Sequence, residues 1–137
     1  MDHKLLYKKR LIFTTDSANI LSSAYGATLE IIQLHPWPTA IFAANDESAI
    51  SAIVALQDHG IRVPQDIASV SIDNIANSEM IRPNLTTVDV PKKQMASYEM
   101  QILLIQEQVK GQQAASIVLP NELIIRESCG VKKSSPQ

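Results

Sequence analysis

Cysteine is nearly absent from this 137-residue chain. Cys129 stands alone, which rules out an internal disulfide and any zinc site built on paired cysteines. Basic charge in excess is missing as well: twelve Lys and Arg are offset by fourteen Asp and Glu, for a formal charge of −2. Lys8, Lys9 and Arg10 form the only basic run of three, and Lys132 and Lys133 a lesser pair. Such short clusters read as solvated edges rather than as a footprint for phosphates, so direct DNA binding by this chain is not expected. No apolar run reaches the ~18 residues of a membrane helix, and Met1 to Arg10 has no apolar core of a secretory signal, so a reducing cytoplasm is the expected setting.

The catalytic motifs are missing too. The sequence contains no GxSxG elbow, Walker loop, GxGxxG or HExxH. His3, His35 and His59 have no partner at metal-ligand spacing, and His59, beside Gly60, reads as a complement to a helix C-terminus. Asp46 and Glu47 are neighbours that diverge on a helix, a poor acid and base pair. Trp37 between two prolines reads as a packed turn residue. No enzyme, cofactor or metal is expected.

What is present is an alternation of short apolar runs and longer stretches with helical spacing, against a background of 45% hydrophobic and 19% charged residues. That alternation predicts an α/β fold, a mostly parallel sheet flanked by helices. The expected strands are Leu11 to Thr14, Thr39 to Ala44, Ile67 to Ile72, Leu85 to Val90 and about Asn121 to Arg126. Thr39 to Ala44, apolar on both faces, reads as a central strand. A first helix begins near Ile20 with Leu21, Ala24, Tyr25, Thr28, Leu29 and Ile32 on one side and ends before Pro36. A second carries Ala49, Ile50, Ile53, Val54 and Leu56 and stops at Gly60. A third carries Met95, Tyr98, Ile102, Ile105 and Val109 up to Gly111. The Lys, Ser, Ser, Pro, Gln ending is expected to fray.

Ligands of an open parallel sheet sit beyond the carboxyl ends of its strands, where Asn45, Asp46, Asp73 and Asn74 fall in two successive units. Convergent Asn and Asp side chains there suit sugar hydroxyls or the edge of a base. The same residues also suit helix caps and turns. Asp46 reads as a cap; for Asp73 the pattern is consistent with either role.

The blocks PTAIFAANDESAISAIVALQDHGIRVPQDIASVSIDN, RPNLTTVDVP and LPNELIIRESC, in that order and covering about Leu11 to Cys129, resemble the lactose-repressor and galactose-repressor family of bacterial regulators. The resemblance implies part of the C-terminal lobe, residues 10–128, of a type I periplasmic-binding-protein-like effector domain, followed by a disordered tail at 129–137. It implies a sensing and dimerisation module of a transcription repressor that reads operator DNA through a helix-turn-helix outside this sequence, with most of the N-terminal lobe and a ligand-contacting arginine also lacking counterparts here. The helix at about 92–110 corresponds to a crossover that packs on that other lobe, so its apolar stripe is expected to lie exposed at ~1.5 to 3 kcal/mol per large side chain. Asn45 and Asp73 match effector contacts, and Asn19 falls where the family often has a stacking aromatic. Val90 replaces a usual Gln. Ile50 and Ile81 match dimer-interface positions, so a homodimer is expected, with a sugar or similar molecule as effector. A transport protein of the same fold is the alternative; a doubly wound enzyme has less support, lacking phosphate loop and nucleophile.

Overall fold

The computed structural model describes residues 11–108 and 116–131. Helix α1 spans Ile20–Ile32, strand β1 Ala40–Phe42, helix α2 Asp46–Asp58 and strand β2 Ala68–Asp73. The short helix α3 (Asn77–Met80), strand β3 (Thr86–Asp89), helix α4 (Lys92–Gln108), strand β4 (Glu122–Ile124) and a 3-10 turn at Glu127–Cys129 complete the described chain. The four strands form one sheet in the order β1-β2-β3-β4. β1 and β2 run parallel in the register Phe42↔Val70, β2 and β3 parallel with Asp73↔Asp89, and β4 closes the far edge antiparallel to β3 with Thr87↔Ile124. The sheet is thus mostly parallel, as the alternating pattern predicts.

Helix α2 packs between the sheet and α1. Ile53 and Leu56 are fully buried with Ile67 and Leu85 from the segments flanking it, and Ala49, Ile61 and Val63 complete this core. Its C-terminus is closed by backbone geometry that only a residue at positive φ accommodates without strain. Gly60 has φ 73°, its N–H donates to the Gln57 carbonyl at 3.0 Å, and the Ile61 N–H donates to the Leu56 carbonyl at 2.9 Å. His59 Nδ1 lies 2.8 Å from the Ala55 carbonyl, in keeping with a side chain that complements the helix end. Trp37 donates from Nε1 to the Ile32 carbonyl at 2.9 Å, tying the proline turn to α1.

Three expectations need correction. Leu11 to Thr14 form no strand, and Leu11 and Ile12 are exposed. A strand requires a pairing partner; here a cavity of about 490 Å³ lies between this segment and β1, lined by Leu11, Ile12 and Phe13 on one side and Ala40 to Ala44 on the other. β1 is in consequence a three-residue edge strand rather than a central one, with Phe42 66% exposed. A continuous apolar run does not distinguish a strand covered on both sides from one left at an edge. On each of the first two helices one residue of the expected stripe is exposed. On α1 the buried residues are Ala24, Thr28 and Ile31 while Leu21 is exposed, and on α2 Ala52 and Ala55 are buried while Val54 is 41% exposed. Small residues face the α1–α2 contact because they let the two backbones approach. Val109 and Gly111, the basic cluster Lys8 to Arg10, and 132–137 of the tail lie outside the described residues.

Ile53 and Val54 are adjacent, both apolar and differently buried, which makes them a test of this packing. Ile53→Ala is expected to lower the unfolding free energy by roughly 2–5 kcal/mol and Val54→Ala by less than about 1 kcal/mol. Chemical denaturation of the two variants checks the difference.

Candidate functional site

The carboxyl ends of β1 and β2 carry the polar residues that the sequence singles out. Three residues after β1 the chain extends through Asn45, whose side-chain Oδ1 accepts from the Ser48 N–H at 2.8 Å and caps α2. The cap is therefore Asn45, and the reading of Asp46 as a cap is corrected: Asp46 is the first helical residue and is 0% exposed.

Buried in this way, the Asp46 carboxylate has to find its hydrogen bonds inside the protein. Oδ1 accepts from Ser71 Oγ and Thr87 Oγ1, each at 2.5 Å, and Oδ2 accepts from Ser78 Oγ at 2.5 Å and the Ile75 N–H at 2.9 Å. Four donors fill the accepting capacity of an ionised carboxylate, which also sits at the positive end of α2. Burial pushes the Asp46 pKa up, but the donors from Ser71, Ser78, Thr87 and Ile75 together outweigh it and hold the group below the ordinary carboxylate value of 3.8.

At the end of β2 the backbone makes a left-handed corner. Asp73 has φ 125° and Asn74 φ 51°, the two positive-φ non-glycine residues among those described. Asn and Asp tolerate this region better than other side-chain-bearing residues, yet it costs free energy and persists only where its surroundings hold it. Asn74 Nδ2 donates to Asp89 Oδ1 at 3.0 Å, and Asn74 Oδ1 accepts from the Arg126 guanidinium at 2.8 Å. The Lys92 ammonium donates to the Asp73 carbonyl. Arg126 has a side chain only 9% exposed and also donates to the Leu85 carbonyl at 2.8 Å and to Glu79 Oε1 at 2.7 Å.

Asn45 and Asp73 thus stand at the carboxyl ends of two adjacent parallel strands. Both are partly buried, and among the described residues no hydrogen bond engages the Asp73 carboxylate. Asn19 is exposed at the N-terminus of α1, with Nδ2 3.3 Å from Asp16 Oδ2 and no hydrogen bond to Asn45 or Asp73 among the described residues. Ile50 and Ile81 are partly buried and rest against the core. The cavity beside β1 has a mainly apolar lining and includes none of Asn19, Asn45 and Asp73, so it offers a sugar little to hydrogen-bond with. Among the described residues no group of three His, Cys, Asp or Glu is placed to hold a metal.

The pattern of residues puts Asp46 at a strand end but reads it as a cap, and places Arg126 only at the end of a strand. The available signal was the hydroxyls: Ser71 and Thr87 occupy buried strand positions where aliphatic residues are usual. Several buried hydroxyls close to a strand end imply a buried acceptor that needs them.

An open α/β sheet with convergent polar groups beyond its parallel strand ends is the architecture of a small-molecule-binding lobe. Residues 2–129 match the periplasmic binding protein-like domain family, and the chain belongs to that family, on the branch of the lactose-repressor-type regulators. It is 35% identical over 106 residues to the HTH-type transcriptional repressor PurR of Edwardsiella ictaluri, a match covering 77% of this chain and 31% of that protein. With the HTH-type transcriptional regulator MalR of Clostridium butyricum it shares 36% over 107 residues, 78% of this chain and 32% of the relative. The chain spans about a third of the length of these curated relatives. Among solved structures it superposes on the transcriptional regulator CelR–cellobiose complex with a TM-score of 0.82 at 28% identity, covering 90% of this chain and 37% of that one. A LacI family regulator from Enterococcus faecium with bound ribose gives a TM-score of 0.69 at 29% identity, covering 79% and 40%.

The Asp46 geometry sets an acid dependence. Because the folded-state pKa lies below the ordinary value, the unfolded chain takes up the proton first; the stabilisation is complete above the ordinary carboxylate range and is lost as pH falls through the folded value. Asp66, lowered to about 2 by the hydrogen bonds of Arg62, adds a second contribution in the same direction, screened by solvent. Asp46→Ala, which strands three hydroxyls and one N–H, is expected to cost roughly 3 kcal/mol or more at neutral pH and to weaken the loss of stability as pH falls below the ordinary carboxylate range. Urea titrations over that range measure both effects.

Proposed function

We propose that this chain is the effector-sensing and association module of a lactose-repressor-type transcription regulator, and that it takes a small polyhydroxylated molecule, a sugar, at the carboxyl ends of β1 and β2. The observation that carries this reading is the left-handed Asp73–Asn74 corner beside Asn45, held in a costly conformation with the Asp73 carboxylate left without a partner among the described residues. In it the Asp73 carboxylate accepts hydrogen bonds from effector hydroxyls and the Asn45 carboxamide supplies a donor beside it. Asn19 is the third proposed contact, resting on family correspondence, and its exposed carboxamide is available to a molecule entering from the α1 side. The sugar class is supported by the cellobiose and ribose in the two structural neighbours.

The module senses without turnover: the relatives are regulators, and the site pairs no nucleophile with a base. Operator DNA is contacted through another part of the whole protein, which works in the cytoplasm. No described helix is long and apolar enough to cross a membrane. On helix α4 the exposed Met95, Tyr98 and Ile105 fall on one face at helical spacing, suited to packing on the second lobe of a two-lobed domain. Copies associate through Ile50 on α2 and Ile81 after α3, giving a homodimer.

Titrating the labelled chain with D-ribose, cellobiose and lactose is expected to shift the amide resonances of Asn45 and Asp73 saturably. Asp73→Ala is expected to weaken that binding about tenfold or more, the worth of one hydrogen bond to a charged group. An unchanged response removes Asp73 from the site, no saturable shift with any of the three sinks the sugar reading, and any product released sinks sensing without turnover. For association, sedimentation velocity is expected to find dimer in the wild type and a larger monomer share in Ile50→Gln, with helix content unchanged by circular dichroism. An unaltered distribution removes Ile50 from the interface.

A further inference from the structure

We propose that Asp46 is a positioning residue for the strand-end site, and that its two carboxylate oxygens divide the work: Oδ1 ties the sheet to α2, and Oδ2 clamps the Asp73–Asn74 corner. The proposal rests on the reading of Asp73 as an effector contact and adds the group that sets where Asp73 is carried.

The division follows from what each oxygen holds. Ser71 and Thr87, the Oδ1 donors, are paired residues of β2 and β3, already fixed in register by main-chain hydrogen bonds. Their places do not depend on Asp46. Ile75 and Ser78, the Oδ2 donors, belong to the segment that has left the sheet through two consecutive residues at positive φ. A backbone in that region relaxes unless it is held on both sides.

On the sheet side the corner is held by Lys92 at the Asp73 carbonyl, by Asp89 and Arg126 at the Asn74 side chain, and by a long contact of 3.3 Å from the Asn74 N–H to Thr87 Oγ1. On the departing side the Ile75 N–H, the first amide after the corner, is taken by Asp46 Oδ2. Three residues on, Ser78 Oγ reaches the same oxygen, and the Ser78 carbonyl in turn accepts from the Leu85 N–H at 2.8 Å, anchoring the segment to the core. Asp46 Oδ2 is thus the point at which the corner's exit is fixed. Asn45, directly before it, is the other proposed contact, so one buried group spaces both walls of the site.

A merely structural hub and a positioning clamp differ in which donor matters. Ser71 and Ser78 are both buried, and each donates to Asp46 at 2.5 Å. Their alanine variants remove equivalent bonds from opposite oxygens. In the labelled 137-residue chain, Ser78→Ala is expected to speed hydrogen exchange of the Ile75 amide by ~10-fold or more while the Ile53 and Leu56 amides stay within about twofold of wild type, and Ser71→Ala to leave Ile75 within about twofold. Ser78→Ala is also expected to weaken the shifts induced by D-ribose or cellobiose by ~5-fold or more. Unaltered Ile75 exchange in Ser78→Ala, equal acceleration in Ser71→Ala, or loss of protection throughout the core in Ser78→Ala each overturns the clamp. If neither sugar shifts the wild-type corner, or Asp73→Ala responds as wild type, the effector reading fails instead, and Ile75 exchange still decides whether Oδ2 holds the corner.

Discussion

A carboxylate with no access to water governs how this lobe is assembled. Asp46 leaves the sheet on the first turn of α2 and carries a charge into a layer where desolvation alone costs several kcal/mol, so the fold around it is obliged to supply donors. It does so from β2, β3, the turn before α3 and α3 itself, that is, from chain positions 25 to 41 residues away in sequence. Each of those hydroxyls is itself buried and would be an unsatisfied group without the carboxylate. Charge and hydroxyls are therefore mutually required, which ties strand spacing, the angle of α2 and the exit of β2 to one atom group.

Local signals made the elements legible. The starts of α1 and α2, the stop at Gly60, and the strands β2, β3 and β4 fall within one or two residues of where capping, glycine and apolar runs put them, because these depend on neighbours close in sequence. Edge and centre were not legible. Thr39 to Ala44 and Leu11 to Thr14 have the composition of strands, and only the arrangement of other segments in space decides that one pairs on a single side and the other on none. The site was half legible for the same reason. The places of Asn45 and Asp73, the proposed contacts, at strand ends are legible in the sequence, while the role of Asp46 depends on Ser71, Ser78 and Thr87 arriving from distant segments. Asn and Asp at a strand end satisfy the chemistry of a cap and of a buried acceptor equally well, and burial is what separates them.

The apolar surface is distributed unevenly. The α1–α2–sheet body closes over Ile53, Leu56, Ile67 and Leu85, whereas α4 leaves several large side chains in solvent and β1 leaves Phe42. A helix of this length is not held by its own hydrogen bonds against the entropy of ordering it and normally draws its stability from packing one face. The exposed apolar side chains of α4 and the side of β1 left unpaired among the described residues are therefore the parts whose stability depends most on contacts with other surfaces, and the body around Asp46 the part that depends on them least.

That difference bears on how binding at the strand ends reaches the rest of the molecule. A contact with Asp73 is made on a corner whose exit is tied to Asp46 Oδ2, and Asp46 opens α2, with Ile50 one turn further along the same helix. The other Oδ2 donor, Ser78, lies on α3, and the Ile81 N–H closes that helix on the Asn77 carbonyl at 3.1 Å. The two proposed association residues thus sit on the two elements that meet at the carboxylate. Losing one donor leaves the charge of a buried ion less compensated, which is costly. On the proposed reading, an effector that displaces the corner acts on α2 and α3 through these shared hydrogen bonds to Asp46.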